Sequence, residues 1–349
     1  MPYVDIPTSH GLTQEQWEAQ LYQEYLGEFP FFSLMGTSSD AVIQVKDDLV
    51  KKPGDAITIG IRGKLIGEGV TGNSTLKGNE EDMSFYHQRI TIDEFRHGVA
   101  LRGKMSQKRV AFNLRNEAKL ALKDWLMEKT ENDLITALTD TSVGRAQGRY
   151  LYGAADSNWN ATHATALGNV DNTADKLTTA MVSIAKRKAQ IGSANGVRMR
   201  PFKVTEKGKN LTEKFIMFAH PFSARDLKTD STWQNHQRDL AVAGMKDSIP
   251  WVSGSNYLGE WDGVYIYSYD RVPLVASTIQ VSHNLLLGAQ AAAVVWGERT
   301  AWEEDIDDYK HKHGFSVGEV RGVSKLVFDR STAEDNGVVN VFAAAVADA

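Results

Sequence analysis

The sequence predicts an α+β fold, in which helices and strands mix without the regular alternation of a doubly wound sheet. Three observations carry this. An alternating apolar segment, a polar glycine-rich stretch and a second apolar arm together read as one long hairpin. An amphipathic segment of unusual length follows directly, and several short strands are spread through the second half.

Residues 1–50 read as an arm rather than a domain. Thr13 is placed to cap a short helix, with Gln16 at the capping-box position and Trp17, Leu21 and Tyr25 at four-residue spacing. The apolar cluster Phe29-Pro-Phe-Phe-Ser-Leu-Met35 follows. It allows two readings: a segment tucked under its own core, or an arm that buries Phe29, Phe31 and Phe32 against another subunit. Pro53-Gly54-Asp55 signals a turn that launches the hairpin, expected over residues 51–103. Ile57, Ile59 and Ile61 alternate with small or polar residues, the period of a half-buried strand. The return arm, Met83 to Leu101, carries Ile90, Ile92, Val99 and Leu101. Between the arms lies a polar tip, Gly67 to Asp82, with glycines at 67, 69, 72 and 78. A two-stranded hairpin is marginal in water by itself. The expectation is therefore that this ribbon lies on a neighbouring copy of the chain.

Ala111, Leu114, Ala118, Ala121, Leu122, Trp125, Leu126, Leu134, Ile135 and Leu138 hold three-and-four spacing. They predict one continuous rod of roughly 50 Å at ~1.5 Å per residue. A Gly-, Ala-, Asn- and Ser-rich loop is expected over 141–172, then a second helix from Thr173 with Leu177, Ala180, Met181, Ile184 and Ala185 on one face. Lys214 to Ala219 reads as a buried strand and Pro221 as the start of a short helix through Leu227. Further strands are expected at 264–269, 291–296, 315–328 and 338–345.

Composition narrows the function classes. At 349 residues, 42% of them hydrophobic and 24% charged, the chain is long enough for a large core and ordinary for a globular protein. A formal charge of −5 argues against a general nucleic-acid binder. No apolar run reaches the ~18 residues of a spanning helix, and the start lacks a secretory layout; synthesis in the cytoplasm is expected. Zero cysteines exclude disulfides, thiolate metal sites and cysteine nucleophiles.

The chemical motifs are weak. Gly67-Glu-Gly-Val-Thr-Gly72 matches the dinucleotide fingerprint in letters, but no helix-forming run follows it, so a hairpin tip explains it better. Glu303, Glu304, Asp305, Asp307, Asp308, His311 and His313 resemble a metal site in residue type, yet their spacing fits neither an EF-hand nor a zinc helix. A solvated acidic segment is the plainer reading. Arg102, Lys104, Lys108 and Arg109 form a basic patch after the hairpin. It reads either as an ordinary charged helix start or as a contact for Glu80, Glu81 and Asp82 at another copy's tip. Lys186, Arg187, Lys188, Arg198, Arg200 and Lys203 are read as solvated surface, with packaged genome as the functional alternative.

The order of elements resembles tailed-phage major capsid proteins of the Hong Kong 97-type fold. Lys52-Pro-Gly-Asp-Ala-Ile-Thr-Ile59, Leu65-Ile-Gly-Glu-Gly-Val-Thr-Gly72 and Phe85-Tyr-His-Gln-Arg-Ile-Thr-Ile-Asp-Glu94 are similar to one podophage-type capsid family in particular. Phe215-Ile-Met-Phe-Ala-His-Pro221 and the closing Val338 to Ala345 suit the same fold. The resemblance implies an N-terminal arm (1–50), an extended loop (51–103) and a peripheral domain with a spine helix (104–172). An axial domain with interleaved peripheral strands (173–335) and a C-terminal strand (336–349) complete it. It further implies self-assembly into hexamers and pentamers of an icosahedral head around double-stranded DNA bound without sequence specificity. A separate scaffolding protein and a portal protein are implied as partners, decoration proteins stay open, and no membrane is involved. The location implied is the virion, with assembly in the host cytoplasm. No catalytic residue, cofactor, metal or lysine–asparagine crosslink is expected. The inter-subunit residues expected are Gly67, Glu68, Gly69, Val70, Thr71, Gly72, Lys77, Glu80, Glu81 and Asp82 at the tip. Phe29, Phe31 and Phe32, with Arg102, Lys104, Lys108 and Arg109, are expected at the arm and helix start. An encapsulin-like compartment shell and a soluble metal-dependent enzyme are the alternatives.

Overall fold

A computed structural model of the chain describes residues 31–50, 53–62, 68–82, 85–101, 104–109, 113–191, 198–206, 210–242, 256–307, 312–328 and 333–347. Strands β1 (Met35–Gly36) and β2 (Ile43–Lys46) precede a ribbon made of β3 (Ala56–Arg62) and β4 (Phe85–Thr91). Next come β5 (Asp93–Leu101), a short helix Lys104–Arg109 and the spine helix Leu114–Leu138. β6 (Tyr150–Tyr152) and helices His163–Gly168 and Thr179–Ile191 lead to β7 (Phe202–Glu206) and β8 (Asn210–Ala219). After helices Pro221–Thr229 and Ser231–Val242, the chain returns as β9 (Tyr257–Trp261), β10 (Val264–Ser268), β11 (Leu274–Ala276) and β12 (Gln280–Leu287). The closing elements are the long pair β13 (Ala292–Asp307) and β14 (Lys312–Lys325), then β15 (Val327–Phe328), β16 (Glu334–Asp335) and β17 (Val338–Ala344).

Two sheets organise most of these strands, while β3 pairs with β4 and β15 with β16. One has the order β1-β2-β13-β14-β5; the other runs β6-β17-β12-β8-β10-β9, with β11 and β7 attached to β12 and β8. Both faces of the second sheet are covered. Phe215 and Met217 of β8, Ile266 of β10 and Val339 and Val341 of β17 pack with Met181, Val182 and Ala185 of helix Thr179–Ile191. Ile216, Phe218, Tyr265, Tyr267 and Leu285 face the main core instead. A strand buried on both faces needs apolar residues at consecutive positions, which is why Lys214 to Ala219 and Val338 to Ala345 read so plainly as strands.

Four expectations are corrected. The rod is interrupted: Asn113 has extended backbone, and its Oδ1 accepts from Arg115 N at 3.0 Å, so it caps a new helix. The spine helix is therefore 25 residues, about 37 Å at 1.5 Å per residue. The second helix starts at Thr179 rather than Thr173. Asp171 ties up the amides of Thr173 and Ala174 in a turn (2.7 and 2.9 Å), and Asp230 accepts from Thr179 N and Oγ1 (3.0 and 2.7 Å) at the true start. The return arm of the hairpin divides: only β4 pairs with β3, whereas β5 joins β14.

The fourth correction concerns shelter. The ribbon's apolar face does not wait for a neighbour. Ile59, Ile61 and Ile90 are each 3% exposed and pack on Ala293, Val295, Leu326 and Phe328 of the same subunit. Burying three isoleucines stabilises this seat by roughly 1.5–3 kcal/mol each. Gln88 adds hydrogen bonds to Lys325 O (2.8 Å) and from Val327 N (2.7 Å). The tip, residues 68–82, stays exposed apart from the half-buried Val70.

Phe31 likewise belongs to its own core. Its ring is fully buried, 4.9 Å from Phe218 and edge-on to Tyr269 at 5.4 Å, while Phe32 is 49% exposed. Phe31→Ala should cost the unassembled subunit about 3–5 kcal/mol, and Phe32→Ala no more than about 0.5 kcal/mol. Urea unfolding of the two variants checks this, and equal losses would return Phe31 to the interface.

Candidate assembly surface

The tip is built to project. Residues 68–82 form neither helix nor strand, and all but the half-buried Val70 are exposed. Turns at Gly72 and Gly78 use left-handed backbone (φ 66° and 90°) in open space, so a side chain there would be strained by the backbone alone. The second turn is held locally: Asn79 N donates to Leu76 O at 2.9 Å, Asn79 Nδ2 to Thr75 O at 2.9 Å, and Gly78 N to Glu80 Oε2 at 2.6 Å. Leu76 stands 60% exposed among these polar groups. Gly69 also has positive φ (73°), and Glu68, Thr71, Lys77, Glu81 and Asp82 complete the exposed set. No helix follows the Gly67 to Gly72 motif among the described residues, which removes the dinucleotide reading.

Of the basic patch, Lys108 and Arg109 are exposed on the short helix beside Met105, itself 64% exposed. Lys104 starts that helix. Gly67, Phe29, Arg102 and the expected helix after Thr13 lie outside the described residues, as do Asp308 and His311 of the acidic segment. The rest of that segment is strand. Register pairs Glu303 with Ser316, Asp305 with Gly314 and Asp307 with Lys312, so alternation sends these three acids to one face and Glu304 to the other. Glu304 is engaged by Arg115, whose Nε donates at 3.1 Å, and by Trp302 Nε1 at 3.1 Å. No group of three or more metal-binding side chains converges among the described residues. Three of the bases weighed against genome are used inside the subunit: Lys186 pairs with Asp262 (2.8 Å), Lys188 with Asp156 (2.6 Å) and Arg200 with Gln290.

Buried charge, which the sequence reading missed, holds the platform under this surface. Arg321 donates to Asp133 Oδ2 at 2.9 Å and to Thr130 Oγ1 of the spine helix, and lies 5.4 Å from the Phe95 ring and 5.9 Å from that of Trp296. Arg149 pairs with Glu334 at 3.1 Å and Lys325 with Asp335 at 2.8 Å, all four almost completely buried. Asn340 Nδ2 donates to Asp335 Oδ2 at 2.9 Å, so its Oδ1 accepts from His283 Nε2 at 2.7 Å. A chain of four residues thus links β14, β16, β17 and β12. No short motif announces it, because its members lie up to 57 residues apart.

The Phage capsid protein family model matches residues 5–347. The chain belongs to that family. This capsid protein is 24% identical over 375 residues to the major capsid protein of Pseudomonas phage KPP25, covering 96% of each chain. Among solved structures it is similar to the cyanophage Pam1 capsid (TM-score 0.76, 24% identity, 99% and 100% of the two chains). The capsid of Ralstonia phage GP4 is also similar (TM-score 0.73, 24% identity, 91% and 92%). These likenesses establish the α+β, Hong Kong 97-type fold. The chain is a tailed-phage major capsid protein, a component of the virion shell. Among the described residues no helix is long and apolar enough to cross a membrane.

The buried chain makes this capsid protein's stability respond to pH in two opposing ways. Burial pushes His283 down from 6.5 to about 4, and burial pushes Asp335 up from 3.8 to about 6, with Lys325 offsetting only part. Neutral His283 favours the folded state while the unfolded chain is also neutral; that contribution is lost as pH falls from 6.5 through 4. Asp335 keeps its proton more tightly when folded, so its gain is complete below 3.8 and is lost as pH rises through about 6. His283→Gln removes the first response and leaves the second. Lowering pH from 6.5 to 4.5 should therefore shift the stability difference in the variant's favour by about 2 kcal/mol. Urea midpoints at both values measure it, and a difference that does not move refutes the linkage.

Proposed function

We propose that copies of this chain close into hexamers and pentamers of an icosahedral head around double-stranded DNA. A separate scaffolding protein guides closure and a portal protein takes one vertex. The sheet that packs on the spine helix forms the peripheral domain, and the sheet under helix Thr179–Ile191 forms the axial domain. The role is structural, with no catalytic step. The observation that carries this reading is the exposed tip, 68–82, on a ribbon whose base is clamped to its own subunit. A clamped base makes the ribbon a fixed arm, and an arm reaching onto the next copy is a head-to-tail contact. Such contacts generate rings when the rotation closes. Each one is modest, and repetition around a closed shell multiplies them.

Deleting Gly67 to Asp82 and joining the arms by a two-residue turn should leave a folded subunit, because the buried ribbon base is untouched. Shell formation should be lost when this variant is expressed with its scaffold and viewed by negative-stain microscopy. Normal shells from the deletion would remove the tip from assembly.

A further inference from the structure

Three rings form a ladder across the second sheet. Register sets Tyr152 of β6 opposite Phe342 of β17, and Phe342 opposite His283 of β12. The rings stack, with centroids 4.6 Å apart for Tyr152 and Phe342 and 4.3 Å apart for Phe342 and His283. Residues 159–170, which include helix His163–Gly168, lie on this ladder: Trp159, Ala166, Leu167 and Val170 pack with Tyr150, Tyr152 and Phe342. Arg145, just past the spine helix, ties the segment down. It donates to the carbonyls of Asn160 and Ala161, and its guanidinium lies 5.7 Å from the rings of Tyr152 and Trp159. Residues 154–158 are anchored separately: Asp175 accepts from Ala154 N at 2.6 Å and from Asn158 Nδ2 at 3.2 Å.

One hydroxyl decides the charge of the histidine in this segment. Arg145 Nε donates to Tyr152 Oη at 3.1 Å, and a guanidinium can only donate. The Tyr152 hydrogen therefore points at His163 Nδ1, 2.8 Å away. Nδ1 has to accept, so the closed arrangement takes a neutral His163. A proton on Nδ1 would meet a donor and stand beside a cation bonded to the same oxygen. Tyr152 is 1% exposed, so its hydroxyl cannot turn to water instead. Among the described residues, the ionisable groups facing His163 are Arg145 before β6, Tyr152 on β6 and His283 on β12, the last across the Phe342 ring. None of these three carries a negative charge at neutral pH to offset the proton. We propose that residues 159–170 form an acid-released flap, in which protonation of His163 breaks its bond to Tyr152 and lifts the segment from the ring ladder. Burial, with Arg145 beside it, holds His163 below the usual 6.5. The closed flap thus favours the neutral ring, and closure weakens as pH falls below 6.5.

Hydrogen exchange on the purified full-length chain tests the flap. With intrinsic rates corrected for, amides in 159–170 should exchange faster by up to about tenfold per pH unit as pH drops below 6.5, the limit for one bound proton. Residues 154–158 and strand β12 should keep their protection over the same range, down to about pH 5. His163→Asn places an acceptor where Nδ1 stood but takes up no proton, so its flap should stay closed throughout. His283→Gln should leave the response in place. Tyr152→Phe keeps the ring and removes the hydroxyl; its flap should exchange faster already at neutral pH and respond less to acid. A native chain without the response, a response that survives His163→Asn, or one that vanishes in His283→Gln would overturn the proposal. So would a Tyr152→Phe variant that exchanges as the native chain does.

Discussion

The structure depends on one strand that serves two cores. Along β13, Ala292, Val294 and Trp296 point into the main core with Leu122, Leu126 and Leu134 of the spine helix. Ala293 and Val295 point the other way, under the isoleucines of the ribbon. Period-two alternation makes this division automatic, and a one-residue slip would exchange the two sets. Position 293 carries alanine and 296 tryptophan, so exchanged sets would not fit: the ribbon seat would be overfilled and the helix seat left with a void.

That double use explains what the subunit keeps and what it leaves for others. The ribbon base is a third layer on the sheet, which makes the arm's direction a property of the subunit rather than of the assembly. The tip has too few apolar groups to form a layer of its own. Among its described residues all but the half-buried Val70 stay exposed. A rigid arm with an unsatisfied end is suited to a shell, where each copy must find the same place on its neighbour.

Buried charge then fixes the alignment of the layers. Replacing such pairs by apolar residues often costs little, whereas removing one partner strands the other. Their value here is geometric. Arg321 sets the spine helix against β14 through Asp133 and Thr130, and Lys325, Asp335, Asn340 and His283 bind four strands in one register. The left-handed Gly144 sits where a Cβ would come 2.1 Å from Asp335 Oδ1, so even the turn after the spine helix is shaped around this chain.

Local chemistry made much of this legible in the amino acids themselves. Alternating Ile57, Ile59 and Ile61, the three-and-four spacing from Leu114 to Leu138, Pro221 at a helix start and the apolar runs at 214–219 and 338–345 are short-range signals, and each became the element it predicts. The polar, glycine-rich tip was readable for the same reason, since nothing in it can build a core. Decisions that need a distant partner were not readable. Whether the ribbon lies on its own body and whether Phe31 faces inward depend on residues roughly 190 to 270 positions away, and where the second helix begins depends on Asp230. Sequence alone determined the elements because backbone propensity and periodicity act over a few residues. Only the tertiary structure decided which faces are covered and which ends stay open, because burial is set by whatever the fold brings alongside.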